Sequence, residues 1–240
     1  MSRDKAALRA RARELREAEA RRQRRREQLI RFGVISGVVV VVLAVAVAVF
    51  ASRPSADDSA AMPTGVSASD GGVVVGDESA PVTIDLWIDF QCPFCRDFEQ
   101  ASGPTLDELV ADASARLVYH PLSFLGEESE RAANAFGCSV DEGRPSEYVR
   151  VLFENQPAEG TGGFTNEDLV ALGESAGVTG GDFETCVNDG TYDAWVSNVA
   201  ARQQDAGVTS TPTVVVDGQT LDAEQLTPEG VRAAVEQAAA

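Results

Sequence analysis

Two cysteines separated by two residues, Cys92-Pro93-Phe94-Cys95, are the part of this 240-residue chain best suited to chemistry. A thiolate is both nucleophile and leaving group in disulfide exchange, and two thiols at this spacing can close on each other. Pro93 favours the first position of a helix, which places Cys92 at the N-cap and Cys95 in the first buried turn. There the Cys92 sulfur faces unpaired N–H groups and the positive end of the helix dipole, so its pKa falls. Cys92 is then the attacking thiol. Cys95, behind it, is the resolving thiol that attacks a Cys92–substrate mixed disulfide and releases the partner. Arg96 adds positive potential one turn along, whereas Asp89, Asp97 and Glu99 oppose it. The competing reading is half of a zinc site, but zinc takes four ligands, and Cys138 and Cys186 stand alone with no second close pair.

The elements that must hold this motif can be read around it. Val82 to Phe90 alternates apolar and polar residues and predicts a strand ending just before Cys92. A helix follows from Pro93 toward Asp112, with a break or bend at Gly103-Pro104, and a strand returns near 115–120, ending at His120 before Pro121. Further strands are expected near 213–217 and 219–222, and a terminal helix near 228–239. Between Glu127 and Gly207, Ala132, Ala133, Phe136 and Val140 recur at helical spacing, as do Tyr148, Val151 and Leu152, Leu169 and Leu172, and Trp195 and Val199. This predicts an α/β fold with an inserted helical domain at about 127–206. Gly160, Gly162 and Gly163 lack the strand-before, helix-after context of a phosphate loop and read as loop.

Charge divides the chain. Residues 1–31 hold 12 of the 20 basic residues and five acids, leaving the other 209 residues with 8 basic residues against 33 acids. Such an acidic body offers no basic face to nucleic acid, and one His with four Cys excludes a His-rich metal enzyme. Residues 32–50 are an uninterrupted apolar run without a charge, long enough at about 1.5 Å per residue to cross a hydrocarbon core. The arginine cluster before it places the head at 1–31 in the cytoplasm and everything after the span outside. A cleaved signal peptide is the alternative, with Ala46, Ala48 and Ala51 as small residues for a peptidase, but the head and the apolar core exceed its usual proportions. Residues 51–72, rich in Ser, Ala, Asp, Gly and Pro, read as a flexible linker, and 73–240 as the outer domain.

With the motif in this setting the chain resembles the DsbA-like branch of the thioredoxin superfamily, in particular its membrane-anchored actinobacterial forms. The resemblance rests on Trp87-Ile-Asp-Phe-Gln-Cys-Pro-Phe-Cys95, on Gly207-Val-Thr-Ser-Thr-Pro-Thr-Val-Val-Val-Asp-Gly218, and on the helix-rich stretch between them, and covers about residues 73–240. It implies a thioredoxin fold with an inserted helical domain, preceded by a single transmembrane helix. It also implies that Thr211-Pro212 is a cis-proline loop lying against the Cys92 sulfur, where its backbone pairs with an incoming peptide; the residues alone equally permit a trans proline starting an edge strand. On the outer face of a membrane an even cysteine count favours pairing, and the resemblance points to Cys138 with Cys186; two buried free thiols are the alternative.

This sequence departs from the family pattern at two places. The buried carboxylate that many relatives carry six residues before the first cysteine is Leu86 here. Asp89, on the opposite strand face, or a water is left to take over the proton transfer. Phe94 stands where the strongest oxidants carry a histidine beside the nucleophile, which implies a milder oxidant. His120 reads as structural, and Trp87, Phe90, Phe136 and Trp195 as core or groove wall rather than a cofactor box. No bound cofactor is implied.

The expectation is an extracytoplasmic thiol:disulfide oxidoreductase that donates its Cys92–Cys95 disulfide to reduced secreted proteins. The resemblance implies recharging by a membrane oxidase of the vitamin K epoxide reductase type. A disulfide isomerase or reductase would use the same motif at another potential, although the short linker supplies no dimerisation module. A non-catalytic tethered scaffold with two structural disulfides is the reading from a different class.

Overall fold

A computed structural model describes residues 59–67, 71–178 and 180–240. The basic head at 1–31, the apolar span at 32–50 and half of the linker, 51–58 and 68–70, lie outside the described residues. Among those described, no helix is long and apolar enough to cross a membrane.

Five strands form one sheet: β1 (Val73–Val75), β2 (Val82–Asp89), β3 (Ala115–Leu122), β4 (Thr213–Val216) and β5 (Gln219–Thr220), in the order β1-β3-β2-β4-β5. β2 and β3 run parallel, with Leu86 opposite Tyr119, and the other pairings are antiparallel. A parallel pair needs a crossover, and α1 (Pro93–Ala111) supplies it, so the residue that ends a central strand is followed at once by the helix that carries the cysteines. The central strand β2 is hydrogen-bonded on both sides and nearly all of it is buried, which gives the Cys92 loop a rigid base. Asp217-Gly218, both at positive φ, closes the β4–β5 hairpin in the conformation that two-residue hairpin turns require.

Between β3 and β4 lie five helices: α2 (Glu127–Asp141), α3 (Pro145–Glu154), α4 (Asn166–Ser175), α5 (Gly181–Asp189) and α6 (Asp193–Gln203); α7 (Pro228–Ala238) ends the chain. The apolar positions that predicted helices here become one core, in which Phe136, Tyr148, Leu152, Leu169 and Trp195 are buried. Phe90 joins that core to the sheet, with its ring 5.6 Å from Phe136 and 5.4 Å from Phe153. Cys138 on α2 and Cys186 on α5 form a disulfide across 48 residues of sequence.

Three local readings need correction. α1 is unbroken through Gly103-Pro104: Pro104 forgoes only its own N–H bond, while Phe98, Leu106 and Leu109 on either side are buried. β3 does not stop at His120 but continues through Pro121 to Leu122; β1 pairs only with Leu117 to Tyr119, so Pro121 meets no second strand that wants its missing N–H. The packed body also reaches back beyond residue 73. Pro63 is buried, the Thr64 N–H and hydroxyl donate to Asp141 at 2.8 and 2.7 Å, and Val66 bridges Val73.

Candidate active site

The site is built where β2 stops. The Cys92 N–H turns back to the Asp89 carbonyl at 2.9 Å, and Cys92, with extended backbone, becomes the N-cap of α1 with Pro93 as the first helical residue. Its carbonyl accepts from the N–H groups of Cys95 and Arg96 at 3.1 and 3.2 Å, which starts the helix. Cys92 is 6% exposed and Cys95 1% exposed, and both are free thiols. A reagent therefore meets Cys92 first.

The two sulfurs titrate in opposite directions. The Cys95 thiol hydrogen-bonds the Cys92 sulfur, which with bonds from the Thr211 side chain and the Cys95 and Phe94 backbones outweighs burial and lowers the Cys92 pKa to about 5. Burial, and the same bond given to Cys92, push the Cys95 thiol far above the ordinary range. Arg96 plays no part in this. Its guanidinium turns to Asp97 at 3.0 Å instead.

The Thr211-Pro212 peptide is cis and brings the Thr211 carbonyl to 3.5 Å from the Cys92 sulfur, which donates to it when protonated. Residues more than a hundred positions apart in sequence thus meet at one sulfur. Phe94, within the motif, is 71% exposed and presents an apolar surface beside the thiols.

Asp89 is completely buried. Its carboxylate accepts from Gln91 N–H at 2.9 Å, the Ser129 hydroxyl at 2.6 Å and Leu125 N–H at 3.2 Å, and among the described residues no hydrogen bond joins it to either sulfur. Desolvation raises its pKa against those three bonds, with a further contribution from the charge of Cys92. Asp85 is committed elsewhere, 3.0 Å from Nε2 of His120, whose buried ring stacks on Trp87 at 4.0 Å. Neither His120 nor Trp87 is brought to the thiols by a hydrogen bond.

Several contacts at this site carry no signature in the sequence. Ser129 and Leu125 N–H come from the start of the inserted helical domain, and Gln156, just after α3, donates its amide to the carbonyls of Phe90 and Cys92 at 2.8 and 3.0 Å. Among the described residues no cluster of His, Cys, Asp and Glu is arranged to hold a metal ion.

The chain is similar to oxidised DsbA of Mycobacterium tuberculosis, with 28% identity and a TM-score of 0.62 over 70% of this chain and 92% of that one. It is similar to the reduced disulfide oxidoreductase DsbG of the same organism, with 29% identity and a TM-score of 0.59 over 72% and 85%. The thiol-disulfide oxidoreductase MdbA of Actinomyces oris shares the fold, with a TM-score of 0.66 at 24% identity over 77% and 93%. A stretch of 118 residues, 44% of this chain, is 32% identical to the serine/threonine-protein kinase PknE of Mycobacterium tuberculosis, and the match spans about a fifth (21%) of that protein's length. Residues 68–237 match the thioredoxin family, and the chain belongs to it.

Proposed function

We propose that the chain is a membrane-anchored, extracytoplasmic thiol:disulfide oxidoreductase that introduces disulfides into secreted proteins through Cys92 and Cys95. The observation that carries this reading is the asymmetry of the two sulfurs, one lowered to about 5 and the other pushed far up. In the forward reaction a substrate thiolate attacks Cys92 of the oxidised pair. The Cys92–Cys95 bond breaks, and Cys95 leaves and takes up a proton. A second substrate thiolate then attacks the substrate sulfur of the mixed disulfide and expels Cys92 as a thiolate. The substrate loses two electrons and two protons; the pair takes up both electrons and, on Cys95, one proton, Cys92 stays a thiolate, and the other proton goes to solvent. In the second step the low pKa of Cys92 makes it a ready leaving group, and stabilisation of its thiolate favours the reduced product, so the equilibrium drives donation.

Other parts of the site fit the same chemistry. The Thr211 backbone beside Cys92 is placed to pair with an extended peptide by strand addition, and exposed Phe94 gives that peptide an apolar contact. Asp89, held by its three donors, acts on the pair through its charge. Reoxidation falls to a membrane oxidase of the vitamin K epoxide reductase type, reached by the anchor at 32–50.

Equilibration of the purified full-length protein with glutathione tests this assignment against the isomerase and reductase readings. A donor should poise toward the oxidising end, nearer the roughly −120 mV of a strong oxidant than the roughly −270 mV of a thioredoxin reductant. A value at the reducing end would contradict the proposal.

A further inference from the structure

The inserted helical domain holds the cysteine loop at two points. One is the Asp89 carboxylate, held by Ser129 and Leu125; the other is Gln156. A primary amide nitrogen carries two hydrogens, and Gln156 spends both on the loop, one on the Phe90 carbonyl and one on the Cys92 carbonyl. The Cys92 carbonyl is the oxygen that also accepts from Cys95 and Arg96 to open α1, so Gln156 acts on the atom that orients the N-cap.

The loop that Gln156 begins is tied down separately at its far end. Arg131 on α2 donates Nε to the Phe164 carbonyl at 3.0 Å, and the Gly162 N–H donates to Glu128 on the same helix. Gln156 itself follows α3 directly, and its N–H reaches the Phe153 carbonyl at 3.4 Å, so it is placed by the end of that helix rather than by the far end of the loop.

Carbonyl oxygens are the negative ends of peptide dipoles, and the two that Gln156 meets belong to Cys92 and to a residue two positions before it, in a site that is largely shielded from water. An N–H directed at each offsets that negative potential at the distance of the sulfur, which favours the thiolate over the thiol. We propose that Gln156 is a positioning residue of the redox pair: its two amide hydrogen bonds fix Cys92 at the N-cap and stabilise its thiolate, coupling the helical domain to the reactivity of the site. This rests on the oxidoreductase reading above.

The test compares Gln156→Met, which keeps length and removes both donors, and Gln156→Glu, which sets a carboxylate against two carbonyls. Arg131→Ala, which loosens the same loop away from the cysteines, serves as control. The readouts are the pH midpoint of Cys92 alkylation by iodoacetamide and the equilibrium with glutathione, each beside a melting curve, on the full-length protein. Gln156→Met should raise the midpoint by about half to one unit, slowing alkylation at about pH 4 roughly three- to tenfold, and Gln156→Glu should raise it further. The glutathione equilibrium should move toward the disulfide by a matching factor in both, and Arg131→Ala should lower only the melting temperature. Unchanged midpoints and equilibria in the two Gln156 variants, or an equal shift in Arg131→Ala, would overturn the proposal.

Should both Gln156 variants fail to fold, the wild-type side-chain amide answers by NMR. Its resonances should titrate with the Cys92 midpoint, and a flat trace would refute the coupling. A wild-type midpoint in the ordinary thiol range sinks the oxidoreductase reading itself, whereas a low wild-type midpoint that ignores Gln156 sinks only this inference.

Discussion

Cys92→Ser is expected to abolish both oxidation of a test dithiol and reduction of a test disulfide, measured with the other three cysteines in place. A serine hydroxyl neither attacks nor leaves as a thiolate does at neutral pH, and Cys95, 1% exposed with its pKa pushed far up, cannot substitute for it. Cys95→Ser should differ in kind. Cys92 would still form mixed disulfides, but without a resolving thiol these should accumulate as adducts visible on a non-reducing gel. Catalytic oxidation should stop, because the variant can never carry the Cys92–Cys95 disulfide. Full multi-turnover oxidation by Cys95→Ser would reverse the assigned order of attack.

The second large effect is on stability. Replacing Cys138 and Cys186 together opens a loop 48 residues long, whose closure restricts the unfolded ensemble by about 4 kcal/mol on chain-entropy grounds. For a domain of this size the melting temperature should fall by roughly 8–16 °C. The bond ties α2 to α5, and among the described residues neither Cys138 nor Cys186 is hydrogen-bonded to the Cys92 loop, so the alkylation rate of Cys92 should change little. Differential scanning calorimetry beside an alkylation assay checks both halves. Lost oxidase activity at unchanged melting temperature would contradict the assignment.

The parts of the fold that could be read in the sequence are those whose causes are local. Alternation from Val82 to Phe90 marks β2, a proline after a cysteine marks the helix start, and apolar residues at helical spacing mark α2 to α6. β1 escaped because three valines after Gly71-Gly72 are too short a run to show a period, and their strand character comes from pairing with Leu117 to Tyr119. Pro104 and Pro121 looked like breakers because propensity is a local quantity. Both are tolerated through tertiary circumstances, a buried helix face in one case and an edge left free beyond β1 in the other.

The site divides along the same line. Cys92, Cys95, Thr211 and Pro212 lie in motifs of recognisable chemistry, whereas Arg96 looked like the cationic neighbour and in fact serves Asp97. Gln156 lies 64 residues from Cys92 in a stretch of loop residues, and nothing in its neighbours distinguishes it from a solvated glutamine. Asp89 was visible as a carboxylate near the pair, but its donors Ser129 and Leu125 could be found only once the helical domain had been folded over β2.

The account stands on Cys92 being a thiolate at physiological pH while Cys95 is not. The most direct measurement is the rate of iodoacetamide alkylation of the reduced protein across pH 3–10, with each modified cysteine identified by peptide mass spectrometry. Cys92 alone should react, along a single titration with its midpoint near 5, far below the roughly 8.5 of an unperturbed thiol. A midpoint in that ordinary range, or equal modification of Cys92 and Cys95, would contradict the account.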